Sequence, residues 1–290
     1  MVRKIRLGVI VPSSNTTLEP LTSAMVSSID DPGLDVSVHY SRFRVTTIDV
    51  SRDADAQFQL GPMLAAARLL ADAEVDVIGW SGTSSGWLGF DRDEALCGAI
   101  RDATGGIPAT SSVLAMNRIL DGIRRGRRHG DGDGDGDGDG DGDGKGEGRG
   151  VTVKVGLVTP YVSALNDAIR SNYSSIGYEI TPARERHLGM TKNTDFADIA
   201  ESTLDGMVEG VVEKGGADVV AIFCTNLAGA RRAAHWEEQQ QQQQQHRRIV
   251  VLDSVATTVW GMLRTIDVDP ACVKGWGSIF STPYDTHNAH

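Results

Sequence analysis

The sequence lacks any run of 18 or more apolar residues, which excludes a membrane-spanning helix. Its first residues enter a strand-like run directly, without an apolar segment and a cleavage site, so we expect no secretory signal. Cysteine is scarce: Cys97, Cys224 and Cys272 are too few and too scattered for a disulfide framework. Together these absences predict a cytoplasmic protein without a membrane partner.

Cofactor and nucleic-acid signals are also missing. Cysteine and histidine show no close spacing of the kind that binds zinc, and no Walker or dinucleotide glycine pattern is present. No basic stripe offers a surface for a phosphate backbone, and the net charge is −11. We therefore expect no metal, no cofactor and no nucleic-acid partner.

Two tracts have extreme composition. Residues 131–144 are seven Asp-Gly repeats, which carry much of the negative charge, and we expect a disordered linker over 128–150. Residues 239–245 are a glutamine tract that either prolongs a helix or forms a surface loop. We assign neither tract a chemical role.

The remaining sequence alternates strand-like and helical segments. The predicted strands are Leu7–Val11, Val36–Tyr40, Val75–Trp80, Val153–Val158, Val219–Phe223 and Ile249–Leu252. The amphipathic stretches between them include Met63–Ala73, Asp93–Ala103, Val162–Ser175, Ile199–Lys214 and Val255–Thr265. This alternation predicts an α/β fold with a mainly parallel sheet, in which ligands bind beyond the carboxyl ends of the strands.

An internal repeat divides the chain into two halves. Residues 6–12 resemble residues 154–160, residues 75–84 resemble residues 217–226, and the segment from Ile107 resembles the segment from Ile249, all in the same order. The repeat predicts two pseudo-symmetric lobes, each a mainly parallel sheet flanked by helices, with the active site in the cleft between them. We place residues 1–115 plus 255–290 in the first lobe and 116–254 in the second.

The repeat aligns two polar triplets at strand exits, Gly82-Thr83-Ser84 and Cys224-Thr225-Asn226. On opposite sides of one cleft, their side chains and backbone N–H groups suit a carboxylate and the charge that develops on it. Free cysteine is more often a small buried hydrophobe, but the position of Cys224 at the end of a strand favours a chemical role.

Other candidate residues lie at the remaining strand exits. Asn15 belongs to the polar segment 12–17, which suits both a helix N-cap and carboxylate capture. Tyr161 would point its hydroxyl into the cleft. Trp80 and Trp260 are expected in the core, whereas Trp87 is a candidate for the pocket wall.

Five segments carry a resemblance to a known family. They are Pro12–Thr16, Trp80–Ser84, Val158–Tyr161, Glu185–Gly189 and Cys224–Leu227. They resemble the aspartate/glutamate racemase superfamily, and within it the branch of maleate isomerase and arylmalonate decarboxylase. The resemblance covers nearly the whole chain outside the two tracts. It implies two α/β lobes and a cofactor-free enzyme that acts on a small dicarboxylate. A homo-oligomer is compatible with this resemblance.

The resemblance also implies roles for individual residues. Racemases of the superfamily hold one cysteine on each side of the cleft, and here Cys224 keeps one position while Gly82 stands at the other. A lone cysteine facing a Gly-Thr-Ser turn resembles the decarboxylase arrangement. There, Thr83, Ser84, Tyr161 and the backbone beside Thr225 would hold carboxylate and enediolate oxygens, with Asn226 next to them.

The chemistry agrees with that arrangement. Preorganised donors that stabilise an enediolate contribute about 3–4 kcal/mol each, and a single thiol protonates the intermediate from one face only. The leading hypothesis is therefore an arylmalonate-type decarboxylase with Cys224 as the proton donor.

Three alternatives stay open. Maleate cis-trans isomerisation would use Cys224 as a nucleophile, with Asn15, Tyr161 and Asn193 at positions that match this branch. An aspartate/glutamate racemase-type activity is the second alternative. The third is a non-catalytic dicarboxylate-binding protein.

Overall fold

The computed structural model describes residues 2–51, 56–130, 152–243 and 248–284. Eight strands lie in this part of the chain. They are β1 Arg3–Pro12, β2 Leu34–Phe43, β3 Val77–Trp80, β4 Ala109–Ser111, β5 Val155–Thr159, β6 Glu185–His187, β7 Val219–Ile222 and β8 Val250–Asp253. They form two sheets of four strands, and every pair within each sheet is parallel.

The two sheets have the same topology. Their strand orders are β2-β1-β3-β4 and β6-β5-β7-β8, so each strand of the first sheet has a counterpart four strands later. This identity of order is what a duplicated unit produces, and it confirms the predicted α/β fold with two similar lobes. The interior strands β3, β5 and β7 are fully buried, as expected for parallel sheets covered on both faces.

Helices flank both sheets. They are α1 Leu18–Ser27, α2 Leu60–Ala71, α3 Ser85–Leu88, α4 Asp91–Ala103, α5 Ser112–Gly130, α6 Ser163–Ser175, α7 Asn193–Phe196, α8 Glu201–Glu209, α9 Ala233–Gln243 and α10 Ser254–Thr265. α8 continues as a π-helix over Gly210–Lys214. Helix α10 follows β8 but packs on β3 and β4 of the first sheet and on α5. The division that places residues 255–290 in the first lobe stays a prediction.

Two strands were not predicted from the sequence. β4 reads Ala-Thr-Ser and β6 reads Glu-Arg-His, and each has only three residues. Neither has an apolar run, and both are edge strands that pair with one neighbour each. Thr110 and Ser111 of β4 are buried polar residues, whereas the side chains of β6 are partly or fully exposed.

The two low-complexity tracts fall only partly within the described residues. The predicted disordered linker over 128–150 is wrong at its start, because residues 128–130 end helix α5; residues 131–150 lie outside the described part of the chain. The glutamine tract continues helix α9 as far as Gln243, which agrees with the helical alternative for that part. Within the described ranges, no helix combines the length and the apolar character needed to cross a bilayer.

Candidate active site

A cavity opens at the carboxyl ends of the central strands of both sheets. It encloses about 300 Å³ of space, part of it open to solvent. The residues that line it are Pro12, Val45, Ile48, Phe58, Trp80, Gly82, Thr83, Ser84, Trp87, Tyr161, Asn193, Cys224 and Thr225. Both triplets at the strand exits therefore contribute to one cavity, in agreement with the rule that ligands bind beyond the carboxyl ends of parallel strands.

Cys224 lies at the exit of β7 and its side chain is 2% exposed. Burial raises the pKa of its thiol to about 12. The backbone N–H of Asn226 donates to Sγ at 3.4 Å, and the Tyr161 hydroxyl also forms a hydrogen bond with the thiol; both contacts act against the rise. At neutral pH the group is therefore a thiol and not a thiolate.

The charge of Asp253 also favours the protonated form of the Cys224 thiol. This carboxyl group is fully buried at the start of α10, where Oδ1 accepts hydrogen bonds from the backbone N–H groups of Val255 and Ala256. Its negative charge raises the pKa of Cys224 further, and burial raises the pKa of Asp253 itself to about 7. No Lys or Arg is among the described residues that line the cavity, so no cation there stabilises a thiolate.

Tyr161 joins the two lobes at the cavity. Its hydroxyl lies 2.8 Å from Oγ1 of Thr83, so that a residue after β5 contacts a residue after β3. The ring of Tyr161 packs edge-on against Trp87 at 5.4 Å and against Phe196 at 5.8 Å between centroids. Burial holds the pKa of Tyr161 well above its usual value, so the phenol stays a neutral hydrogen-bonding group.

Position 82, which lines the same cavity as Cys224, has no room for a side chain. A Cβ built on Gly82 would lie 2.0 Å from Cζ2 of Trp80 and 2.5 Å from Cε2 and Cη2. The indole of Trp80 therefore occupies the space that a cysteine side chain would need. Trp80 itself is packed against Phe43, with ring centroids 5.3 Å apart.

A segment of the first lobe closes the cavity against the second lobe. Thr47 forms an antiparallel bridge with Lys192, and the N–H of Ile48 donates to the carbonyl of Thr191 at 2.9 Å. Next to this bridge, Nδ2 of Asn193 donates to Oγ of Ser14 at 2.8 Å. The side chain of Asn193 thus reaches the other lobe and lines the cavity.

Asn15 and Asn226 do not line the cavity. Oδ1 of Asn15 accepts from the N–H groups of Thr17 and Leu18, and its Nδ2 donates to Oγ1 of Thr225 at 3.1 Å. Oδ1 of Asn226 accepts from the N–H groups of Thr16 and Thr17, across the lobe boundary. These amides cap the start of α1 and hold the two lobes together, so the structure places them behind the cavity wall, where they position residues such as Thr225.

The structure thus brings six predicted site residues together with Cys224 in one cavity. Gly82, Thr83, Ser84, Tyr161, Asn193 and Thr225 all line the cavity with it. The other cysteines lie elsewhere: Cys97 is buried in α4, and Cys272 lies in the 3₁₀ turn Pro270–Cys272. His187 pairs with Glu185 on the edge strand β6 and does not line the cavity.

Sequence reasoning missed part of the apolar wall. Val45, Ile48 and Phe58 come from the segment after β2, whose strand exit was not searched for functional residues. Trp80 was expected only in the core, yet it both packs in the core and lines the cavity. Applying the strand-exit rule to β2 would have found the first three residues, because β2 ends at the same edge of its sheet.

The described residues contain no group of three or more His, Cys, Asp or Glu side chains that could hold a metal ion. The chemistry that the arrangement supports therefore uses the thiol of Cys224, the paired hydroxyls of Thr83 and Tyr161, and neutral N–H donors. Such groups act on the protons and carboxylates of a small organic acid.

Comparison with known proteins identifies the class to which this arrangement belongs. The chain is similar in sequence to a maleate isomerase and has the fold of maleate isomerase and arylmalonate decarboxylase structures, the branch that the sequence resemblance predicted. No family model matches the chain.

The particular relatives fall in two groups. A maleate isomerase from Pseudomonas putida is 25% identical over 294 residues, which span 98% of this chain and 100% of the relative. One similar solved structure is a cysteine-to-serine variant of the Nocardia farcinica maleate cis-trans isomerase that holds a covalently bound succinylcysteine intermediate. Its TM-score is 0.74 and its sequence identity 21%, and the match covers 96% of this chain and 98% of that chain. Arylmalonate decarboxylase matches with a TM-score of 0.65 and 19% identity over 95% of this chain and 99% of that chain.

Proposed function

We propose that this protein is a cofactor-free enzyme that decarboxylates a small malonate-type diacid and protonates the product from one face, with Cys224 as the proton donor. The observation that carries the proposal is the asymmetry of the cavity. The cavity has a thiol at Cys224, while Trp80 fills the space beside Gly82. A cavity with one proton donor delivers its proton to one face of a planar intermediate.

The protonation state of Cys224 supports the same role. A proton donor must carry its proton when the intermediate forms, and a thiol whose pKa is raised to about 12 does so throughout the neutral range. A nucleophile instead requires the thiolate. Burial and the charge of Asp253 both favour the thiol, so the electrostatics of the site favour proton donation.

The proposed reaction has two steps. The bond between the α-carbon and one carboxylate breaks, CO2 leaves, and the bonding electron pair passes into an enediolate of the remaining carboxylate. The S–H of Cys224 then gives its proton to the α-carbon, and the resulting thiolate regains a proton from solvent. Thr83, Ser84, Tyr161, Asn193 and Thr225 are the groups that would hold the oxygens as the negative charge moves onto them.

A second candidate is cis-trans isomerisation of maleate or a similar alkene diacid. The full-length similarity to the Pseudomonas putida maleate isomerase favours it, as does the succinylcysteine of the Nocardia farcinica structure. In this reaction the S–H bond of Cys224 and the π bond of the alkene would break as the sulfur adds to one alkene carbon and the proton passes to the other. The resulting single bond would rotate, and the addition would then reverse, returning the proton to the sulfur. Because the attacking sulfur must be a thiolate, this reaction requires that ligand binding lower the pKa of Cys224 toward the neutral range.

One experiment in heavy water separates the two candidates. Wild type, Cys224→Ala and the control Cys97→Ala are incubated with arylmalonates, alkylmalonates and maleate, and products are followed by NMR and mass spectrometry. Decarboxylation predicts CO2 release and a monoacid with one deuterium at the α-carbon in a single configuration. Isomerisation predicts fumarate and an adduct with the mass of one maleate on Cys224.

The control residue is matched to the reacting one. Cys97 is also buried, and burial likewise raises the pKa of its thiol to about 12, but it lies in α4 away from the cavity. Cys97→Ala is expected to keep full turnover, whereas Cys224→Ala is expected to lose it. Equal turnover by Cys224→Ala and wild type would refute both candidates.

A further inference from the structure

Two buried indole N–H groups at the cavity have no hydrogen-bond partner. Among the described residues, neither Nε1 of Trp80 nor Nε1 of Trp87 has an acceptor within reach, although both atoms are shielded from solvent. Both residues line the cavity, and Trp80 is 0% exposed. A buried N–H without a partner is uncommon in a folded protein and calls for an explanation at the site where it occurs.

The indole of Trp80, which carries one of these N–H groups, lies against Gly82 at the cavity wall. The Cε2 atom, to which Nε1 is bonded, comes within 2.5 Å of the point where a Cβ on Gly82 would stand. Gly82 lines the cavity next to Thr83. The indole N–H is therefore beside the position at which a first-lobe side chain would otherwise meet the ligand.

The ring of Trp80 is fixed in this position by its neighbours. Phe43 and Phe58 pack against it with centroid separations of 5.3 and 6.5 Å, and Phe58 also contacts Trp87 edge-on at 6.0 Å. Trp87 in turn packs on Tyr161. The two indoles therefore belong to one continuous aromatic wall that holds both N–H groups in place before a ligand arrives.

The chemistry of these donors fits a carboxylate. An indole N–H donates but never accepts, so it binds an oxygen anion and cannot compete with Cys224 for the transferred proton. The described lining has no Lys or Arg, so a dicarboxylate there must be held by neutral donors. The Thr83 and Tyr161 hydroxyls already share one hydrogen bond, which leaves them less free to donate to a second carboxylate.

We propose that the indole N–H groups of Trp80 and Trp87 bind a carboxylate oxygen of the substrate from the first-lobe wall. The inference rests on the proposed function in one respect, namely that the ligand is a small dicarboxylate. It gives Trp80 two roles: it excludes a second side chain at position 82, and it supplies a hydrogen-bond donor in that space.

The first test removes the N–H and keeps the ring. Benzothienylalanine, which replaces the indole N–H by sulfur, is incorporated at position 80, and the same substitution at Trp260 is the control. Trp260 is also buried, but it packs on Tyr284 and does not line the cavity. Loss of a hydrogen bond to a charged group predicts roughly a 10- to 100-fold weaker Kd for succinate, an unreactive probe, with the position-260 variant unchanged.

The second test observes the N–H groups directly. The chain has five tryptophans, so a ¹H–¹⁵N spectrum of the Cys224→Ala variant contains five indole signals, assigned by single Trp→Phe substitutions. Addition of succinate or phenylmalonate is expected to move the Trp80 and Trp87 signals downfield. Trp236 and Trp276 already donate to Asp205 and Ser28, and their signals are expected to stay in place.

The outcomes separate this inference from the proposed function. If the Trp80 signal moves while Cys224→Ala keeps full turnover, the inference stands and the proposed function fails. If Cys224→Ala is inactive but the Trp80 signal stays fixed and the benzothienyl variant binds succinate normally, the inference is wrong and the proposed function stands. Failure of wild type to bind either probe contradicts the inference as well.

Discussion

Substitution of Gly82 tests the packing that makes the cavity one-sided. In Gly82→Ala, the new methyl carbon would lie 2.0 Å from Cζ2 of Trp80, far inside the contact distance of two carbon atoms. The indole is fully buried and braced by Phe43 and Phe58, so it cannot move aside freely. We expect a loss of about 1–3 kcal/mol in the free energy of unfolding, the usual range for overpacking a dense core.

The assay is urea unfolding, with Gly98→Ala as the matched control. Gly98 lies in α4, where an added Cβ meets nothing within 4 Å, so alanine there is expected to stabilise the helix by about 0.5–1 kcal/mol. Trp80→Leu, itself destabilising, should reduce the cost of Gly82→Ala when the two are combined. A Gly82→Ala protein as stable as wild type, or costs that simply add in the double variant, would refute the packing argument.

The same clash determines what Gly82→Cys is expected to do. A cysteine at position 82 does not create a second working proton donor, because the Trp80 ring occupies its place. Only Gly82→Cys combined with a smaller residue at position 80 is expected to exchange the α-proton of the product from both faces. Efficient two-sided exchange by Gly82→Cys alone would contradict this.

Three further predictions concern titration and the contacts between the lobes. Because the pKa of Cys224 is raised to about 12, a proton donor at this position should give a kcat that is constant between about pH 6 and pH 9 and falls only at higher pH. A kcat that rises tenfold per pH unit would indicate a thiolate nucleophile instead. The pKa of Asp253 is raised from 3.8 to about 7 in the folded state, so the stability that this group contributes is complete below about pH 3.8 and is lost as the pH rises through about 7. The loss amounts to up to about 1.4 kcal/mol per pH unit. Asp253→Asn should remove it in urea unfolding measured at a series of pH values. Asn226→Ala removes the side-chain acceptor of the Thr16 N–H and one of the two acceptors of the Thr17 N–H, which keeps Asn15, and should cost about 1–3 kcal/mol and lower kcat. An unchanged unfolding midpoint would show that these contacts do not hold the lobes.

The sequence was sufficient to predict the duplicated architecture. Apolar runs in the interior parallel strands are nearly continuous, so β1, β3, β5 and β7 were predictable from composition. The edge strands β2 and β8 were also predicted, because each contains apolar residues. The edge strand β6 was not, because its alternating charged residues lie half in solvent and hydrogen bonds to β5 hold it in place.

The polar part of the candidate site followed from the strand-exit rule, but its aromatic wall did not. The sequence places Trp80 at the end of β3, yet nothing in it shows that the indole folds over Gly82 two residues later. That contact depends on side-chain torsions set by Phe43 and Phe58, which are distant in sequence. Asn15 and Asn226 were predicted to bind the substrate, because the partners that their amides contact in the structure lie about 210 residues away in the sequence.

The central claim is that the sulfur of Cys224 passes a proton to the substrate carbon from one side of the cavity. The most direct measurement is the configuration and deuterium content of the monoacid formed from a prochiral arylmalonate in heavy water, with wild type and Cys224→Ala compared. The account predicts a single deuterated enantiomer from wild type and no detectable product from Cys224→Ala. A racemic product from wild type, or the same enantiomer formed at an undiminished rate without the thiol, would contradict it.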